Sequence, residues 1–332
     1  MSAAEKLKRV ERALSVLEAR EASCTLCPRN CRVDRGRDEL GVCRTGRQAL
    51  VSHALLHFGE EPVLSGTADA RCADFPARGR AGSGTVFFAG CNLKCVFCQN
   101  YQLSWLNEGE PVSDETLAKM MLDLQAEGAL NINLVSPTHV VLPVLRGLQV
   151  AHARGLEVPL VWNSNGYENI DSLQALDGVV DVYLPDLKYH SRRVASRYSG
   201  AADYFDRASR ALKEMSVQQP VLDLDRNGIA RRGLIIRHLM LPGHGDETLF
   251  LLRWIKKNLS PFVGLSLMSQ YHPVFKAPAE LRRTVGPDEY QRAADFALSL
   301  GFERLFLQPG PFGPEDHLLP DFKRRAPFRW RE

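Results

Sequence analysis

Residues 85–100 read Thr85-Val86-Phe87-Phe88-Ala89-Gly90-Cys91-Asn92-Leu93-Lys94-Cys95-Val96-Phe97-Cys98-Gln99-Asn100. The first five are apolar or β-branched, the composition of a strand buried on both faces. Gly90 interrupts the run, and three cysteines follow at C-x3-C-x2-C spacing. Three thiols on so short a loop fit around an iron–sulfur cube, and three thiolates leave one of its irons without a protein ligand. An open coordination position is what a catalytic metal needs and a structural metal does not. The alternative is a zinc site completed by a distant ligand.

The texture after Gly84 repeats this strand-first unit. Short apolar runs predict strands at 85–89, 131–135, 158–162, 179–184, 234–240, 263–268 and 303–307. Between them, helices are predicted at 113–127, 138–153, 169–176, 203–217, 246–258 and 287–300. Ser113 and Asp246 suit helix starts, and Gly128 and Gly155 suit helix ends. Alternation of this kind means parallel βα units. Six units are fewer than the eight of a closed barrel. The expected fold class is therefore α/β, a partial (β/α)6 TIM-type barrel. In such barrels active sites lie at the C-terminal ends of the strands, where Cys91, Cys95 and Cys98 would stand.

Composition agrees with a globular chain. The 332 residues are 45% hydrophobic and 24% charged, with net charge +3. That excludes a disordered chain or a fibrous repeat. No apolar run approaches the ~18 residues of a membrane span, and Met1 to Arg20 is charged throughout without a signal-peptide core. The expected location is cytoplasmic, with no membrane partner. The charge alone does not call for nucleic acid. The basic groups Arg192-Arg193, Arg231-Arg232, Arg282-Arg283 and Lys323-Arg324-Arg325 read as solvated faces.

Four more of the eight cysteines fall ahead of the barrel, at Cys24, Cys27, Cys31 and Cys43. Without an export signal, clustered thiols read as metal ligands rather than disulfides. Four thiolates close a site completely, whether for zinc or for an iron–sulfur cluster. The expected organisation is an N-terminal helix and four-cysteine module at 1–64, a junction loop at 65–84, the partial barrel at 85–310 and a tail at 311–332. Within the first, an amphipathic helix spans 4–22 and a strand or extended arm spans 49–64. Cys72 stands alone, and no role follows from its position.

The Cys91–Asn100 stretch resembles the signature of the radical S-adenosylmethionine (SAM) superfamily, and the resemblance extends over roughly residues 81–310. It implies a four-iron, four-sulfur cluster on Cys91, Cys95 and Cys98, whose open iron chelates SAM. It further implies reductive cleavage to a 5′-deoxyadenosyl radical that abstracts a substrate hydrogen atom. Segments after later strands are similar to activating enzymes of that superfamily. These are Asn163-Ser164-Asn165-Gly166, Asp186-Leu187-Lys188, Arg237 in its strand, and His272 after the sixth strand. The resemblance makes Lys188 the partner of the methionine carboxylate. It makes Asn163, Asn165, Asp186, Arg237 and His272 further contacts. The usual Gly-Gly-Glu segment is replaced by Ser136-Pro137-Thr138-His139, so contacts there fall to Ser136, Thr138 or backbone.

The Cys24–Cys31 spacing, Gly59-Glu60-Glu61-Pro62, Cys98-Gln99-Asn100 and Asn131-Ile132-Asn133 together resemble pyruvate formate-lyase activating enzyme-like proteins. The cofactor chemistry implied by the superfamily resemblance calls for flavodoxin or ferredoxin as electron donor, and kinship to activating enzymes implies a glycyl radical enzyme as protein substrate. Another peptide, metabolite or RNA substrate is the alternative, and a non-catalytic iron–sulfur or zinc protein is a third reading. His139 and His238 read as hydrogen-bonded structural histidines.

Overall fold

The computed structural model describes residues 3–66, 82–308 and 319–328. Cys72, most of the expected junction loop and much of the expected tail lie outside the described residues. The strands are β1 (Ala49–His57), β2 (Ser83–Phe88), β3 (Glu110–Val112), β4 (Ile132–Val135) and β5 (Leu160–Ser164). They continue with β6 (Val182–Pro185), β7 (Asp223–Leu224), β8 (Ala230–Leu239), β9 (Gly264–Met268) and β10 (Arg304–Gln308).

The strand order is β10-β9-β8-β6-β5-β4-β2-β1-β3, with β7 paired to β8. From β2 through β10 the main-path neighbours are parallel. β1 adds antiparallel to β2, and β3 adds antiparallel to β1. The sheet does not close, so the barrel is partial. Helices Asp114–Ala126, Val141–Ala153, Ile170–Ala175, Tyr204–Gln218, Gly245–Asn258 and Pro287–Ser299 lie in the six crossovers. All seven predicted strands are present, with ends shifted by up to four residues. The early prediction at 179 fails because Val179 still closes the preceding turn, donating to Leu176 O. The predicted 49–64 arm is β1 plus the short helix Pro62–Ser65. The predicted 138–153 helix opens with a 3-10 turn, Pro137–Val140. The N-terminal helix is shorter than expected, Ala3–Leu17. The short β3 and the helix Arg192–Ser199 were not expected.

Strand alternation places the chemistry. Side chains two apart share a face. Leu160, Trp162, Tyr183, Leu234 and Ile236 belong to the main core, which includes the surrounding helices. Val161, Val182, Leu184 and Ile235 form a separate core on the other face, closed by Val63 and Leu64. On that inner face the next positions along the strands are Asn163, Asp186 and Arg237. Register aligns them: Asn163 pairs with Leu184, and Asp186 bridges to Arg237. On β5, β6 and β8, polar side chains therefore replace aliphatic ones toward the C-terminal end of the half-barrel. Among the described residues, no helix is long and apolar enough to cross a membrane.

The segment before the barrel is bound to it. The helix Ala3–Leu17 contributes Val10, Ala13 and Leu17 to the main core. Its Lys6 pairs with Asp181. Asn169 donates to Thr25 O at 2.7 Å and Ser172 to Leu26 O at 2.9 Å.

Candidate functional site

A cavity of about 470 Å³ opens at the C-terminal ends of the strands. Cys91, Cys95 and Cys98 line it, together with Ser136, Asn163, Asn165, Asp186, Lys188 and Arg237. Thr138 and His272 are not among the lining residues. Thr138 is buried and donates instead to Glu168 at 2.7 Å. Being next to a strand end does not fix which way a side chain points, and the 3-10 turn at Pro137–Val140 turns Thr138 into the core.

The cysteine loop is held from several sides. Gly90 has φ +86°, a left-handed conformation. A Cβ there would lie 2.7 Å from Cys43 O and 2.8 Å from His139 Nε2. Gly90→Ala is expected to destabilise the fold by about 1–3 kcal/mol, from strain and overpacking together. Urea unfolding checks it, and a variant as stable as the wild type would show that the loop has other ways to turn. Beyond the glycine, Asn165 Nδ2 donates to Asn92 Oδ1 at 2.7 Å and to Cys91 Sγ at 3.4 Å. Leu93 N also donates to Cys91 Sγ, at 3.4 Å. Ser199 Oγ lies 3.0 Å from Cys95 Sγ. Such polar groups on the sulfurs suit anionic thiolates. Without a metal, burial pushes the Cys98 thiol up to about 12.

The donor set is thiol only. Among the described residues, no three His, Cys, Asp or Glu side chains converge closely enough for a single ion. The three thiols nevertheless share one cavity.

Opposite the loop, charges are paired. Lys188 Nζ donates to Asp186 Oδ2 at 2.7 Å. Burial opposes the ammonium charge, but Asp186 outweighs it and raises Lys188 above the usual lysine range. Arg237 is held by two carboxylates: its Nη2 pairs with Glu60, and its Nε donates to Glu61 at 2.9 Å. Asn133 Nδ2 donates to Glu60 at 3.0 Å, and Arg237 Nη1 donates to Asn163 Oδ1 at 3.4 Å. The Glu60-Glu61 and Asn131-Ile132-Asn133 stretches, separate in sequence, thus meet in one network. Glu60 also lines the cavity. Sequence reasoning did not assign it to the site. The available signal was two adjacent acids just before Pro62, ahead of the apolar Val63-Leu64.

Both structural histidines are satisfied. His139 Nε2 donates to Ala89 O at 2.9 Å. His238 Nδ1 donates to Leu187 O, and Thr248 Oγ1 donates to its Nε2. Burial lowers His139 from 6.5 to about 4. The unfolded chain takes this proton below pH 6.5, whereas the folded chain resists until about pH 4. Stability is therefore full above that window and falls as pH drops through it, by about 1.4 kcal/mol per unit and about 3 kcal/mol in all. His139→Gln keeps a donor and is expected to flatten this slope between pH 7 and 5. An unchanged slope would assign the acid sensitivity elsewhere.

The exposed basic groups are largely answered by acids. Arg192 pairs with Asp206, Arg231 with Asp225 and Arg283 with Glu289. Lys323 pairs with Glu108 and Arg324 with Asp321.

Residues 85–255 match the family described as the Radical SAM superfamily. The uncharacterized protein MJ0674 of Methanocaldococcus jannaschii is 31% identical over 298 residues, which cover 86% of this chain and 77% of that one. The uncharacterized protein MJ0808 of the same organism is 23% identical over 272 residues, 78% of this chain and 73% of that one. Among solved structures, Streptococcus suis SuiB bound to S-adenosylmethionine aligns with TM-score 0.45 and 12% identity, covering 66% of this chain and 48% of that chain. Native anSMEcpe with bound AdoMet and Kp18Cys peptide aligns with TM-score 0.46 and 16% identity, covering 66% of this chain and 60% of that one.

Proposed function

The chain belongs to the radical SAM superfamily, and on that premise we propose that it is an enzyme abstracting hydrogen from a substrate admitted to the strand-end cavity. Cys91, Cys95 and Cys98 would hold a four-iron, four-sulfur cluster with SAM on its open iron. When bound, that pair supplies reductive SAM cleavage and a 5′-deoxyadenosyl radical as the hydrogen-abstracting species. The observation that carries the reading is the convergence of the three thiols and the Asp186–Lys188 pair on one cavity.

The chain's own residues bind, orient and exclude water. Lys188 presents a localised positive charge suited to a carboxylate, and Asp186 holds it at the cavity wall. Asn163, Ser136 and Asn165 offer short polar groups to the cofactor's remaining functions. Arg237, saturated by Glu60 and Glu61, is a positioning residue that fixes Asn163 and Glu60. Phe87, Phe88, Leu103 and Met268 form the apolar wall that keeps out water.

The substrate we propose is a backbone glycine of a partner enzyme, supported by the Asp186-Leu187-Lys188 and Asn163–Gly166 segments. Flavodoxin or ferredoxin would supply the low-potential electron. Electron paramagnetic resonance after incubation with SAM and candidate glycyl radical enzymes should show a glycyl doublet. Its absence with every such enzyme of the host would remove this substrate. The presence of Glu60 in the cavity favours a second reading, a small charged metabolite. Deuterium transfer from a labelled metabolite into 5′-deoxyadenosine would identify that case.

A further inference from the structure

We propose that Cys24, Cys27, Cys31 and Cys43 hold a second iron–sulfur cluster, with Arg35 donating to two of its thiolates, seated against the Cys91 loop. The proposal goes beyond the hydrogen-abstraction reading and does not depend on it.

Arg35 carries the argument. It is 4% exposed, and its guanidinium faces sulfur. Nε donates to Cys24 Sγ at 3.0 Å and Nη2 to Cys43 Sγ at 2.9 Å. Nη1 donates to Thr45 O at 3.0 Å and to Gly46 O at 3.4 Å. Among the described residues, no carboxylate makes an ion pair with it. A guanidinium cannot shed its charge, and a buried charge needs an anionic partner. Neutral thiols do not provide one, whereas metal-bound thiolates do. The surrounding sequence agrees: residues 23–47 contain six arginines against Asp34, Asp38 and Glu39. That surplus suits a centre with four thiolate charges.

The sulfurs are neighbours. Cys24, Cys31 and Cys43 all act electrostatically on the buried Cys27. Thiol-only ligation also suits iron–sulfur chemistry.

The module is fastened to the first cysteine loop. Cys43 O is 2.7 Å from where a Gly90 Cβ would stand. Arg29 Nε donates to Asn92 O, and its Nη1 to Gly200 O, both at 2.7 Å. Lys94 lies within electrostatic reach of both Cys91 and Cys43. The two thiol sets are thus contiguous across the Gly90–Lys94 segment.

The test is metal and sulfide content of the full chain, purified and reconstituted without oxygen. The Cys91→Ala/Cys95→Ala/Cys98→Ala variant should retain about two to four irons with matching sulfide, the content of a cluster held by four cysteines. Cys27→Ala/Cys31→Ala should lose that complement and keep the iron of the other site. Arg35→Met in the triple background should move the retained cluster's reduction potential to more negative values, because hydrogen bonds to the sulfurs are lost. One zinc without sulfide in the triple variant, or no metal at all, would overturn the proposal. Should Cys27→Ala/Cys31→Ala fail to fold, the triple variant decides alone. Either negative result leaves SAM cleavage by the wild type untouched, so the two readings fail separately.

Discussion

Arg237→Ala is expected to destabilise the fold by about 3–5 kcal/mol, the cost of leaving buried carboxylates without their cation. Glu60 and Glu61 are 8% and 1% exposed, and both pair with this one guanidinium. Val63 and Leu64 close the inner apolar core that adjoins the pair. The loss should be read by denaturant unfolding at neutral pH. Glu60→Gln and Glu61→Gln added to Arg237→Ala remove the uncompensated charges and should recover a large part of it. A loss below about 1 kcal/mol would place Arg237 in the class of weak surface pairs. The network would then be no structural element of the site.

Cys95→Ala is expected to reduce 5′-deoxyadenosine formation to the background without enzyme, while leaving the fold nearly unchanged. Cys95 is only partly buried at the edge of the main core, and its Sγ lies 3.0 Å from Ser199 Oγ. Truncating it therefore removes little packing. It does remove one of three thiolates that together would hold the cluster, and a cluster short of a protein ligand loses iron. The distinguishing measurement is cleavage together with thermal unfolding on the same preparation. Retained cleavage would show that another group completes the ligand set.

Much of this architecture is legible in the amino-acid order. The apolar runs at 131–135 and 234–240 are strands because parallel strands covered on both faces need little polar patterning. The Cys91–Cys98 spacing is visible because the three thiols lie on one loop. The Glu60–Arg237 pair is not, because the partners are 177 residues apart and meet only through sheet order. An arginine inside the apolar Leu234–Met240 run announced that some anion must face it, but not which. Thr138 and His272 show the opposite limit. Their places after strands were readable, whereas the direction of the Thr138 side chain depended on the local 3-10 turn. The helix Arg192–Ser199 escaped notice because its start, Arg192-Arg193, carries only charge, with Val194, Ala195 and Tyr198 as its buried face.

The central claim is tested most directly by incubating the anaerobically reconstituted wild-type chain with SAM and dithionite, then separating the products chromatographically. The account predicts 5′-deoxyadenosine and methionine, both dependent on the reductant. A preparation with its Cys91, Cys95 and Cys98 site loaded with iron and sulfide that yields neither product would contradict it.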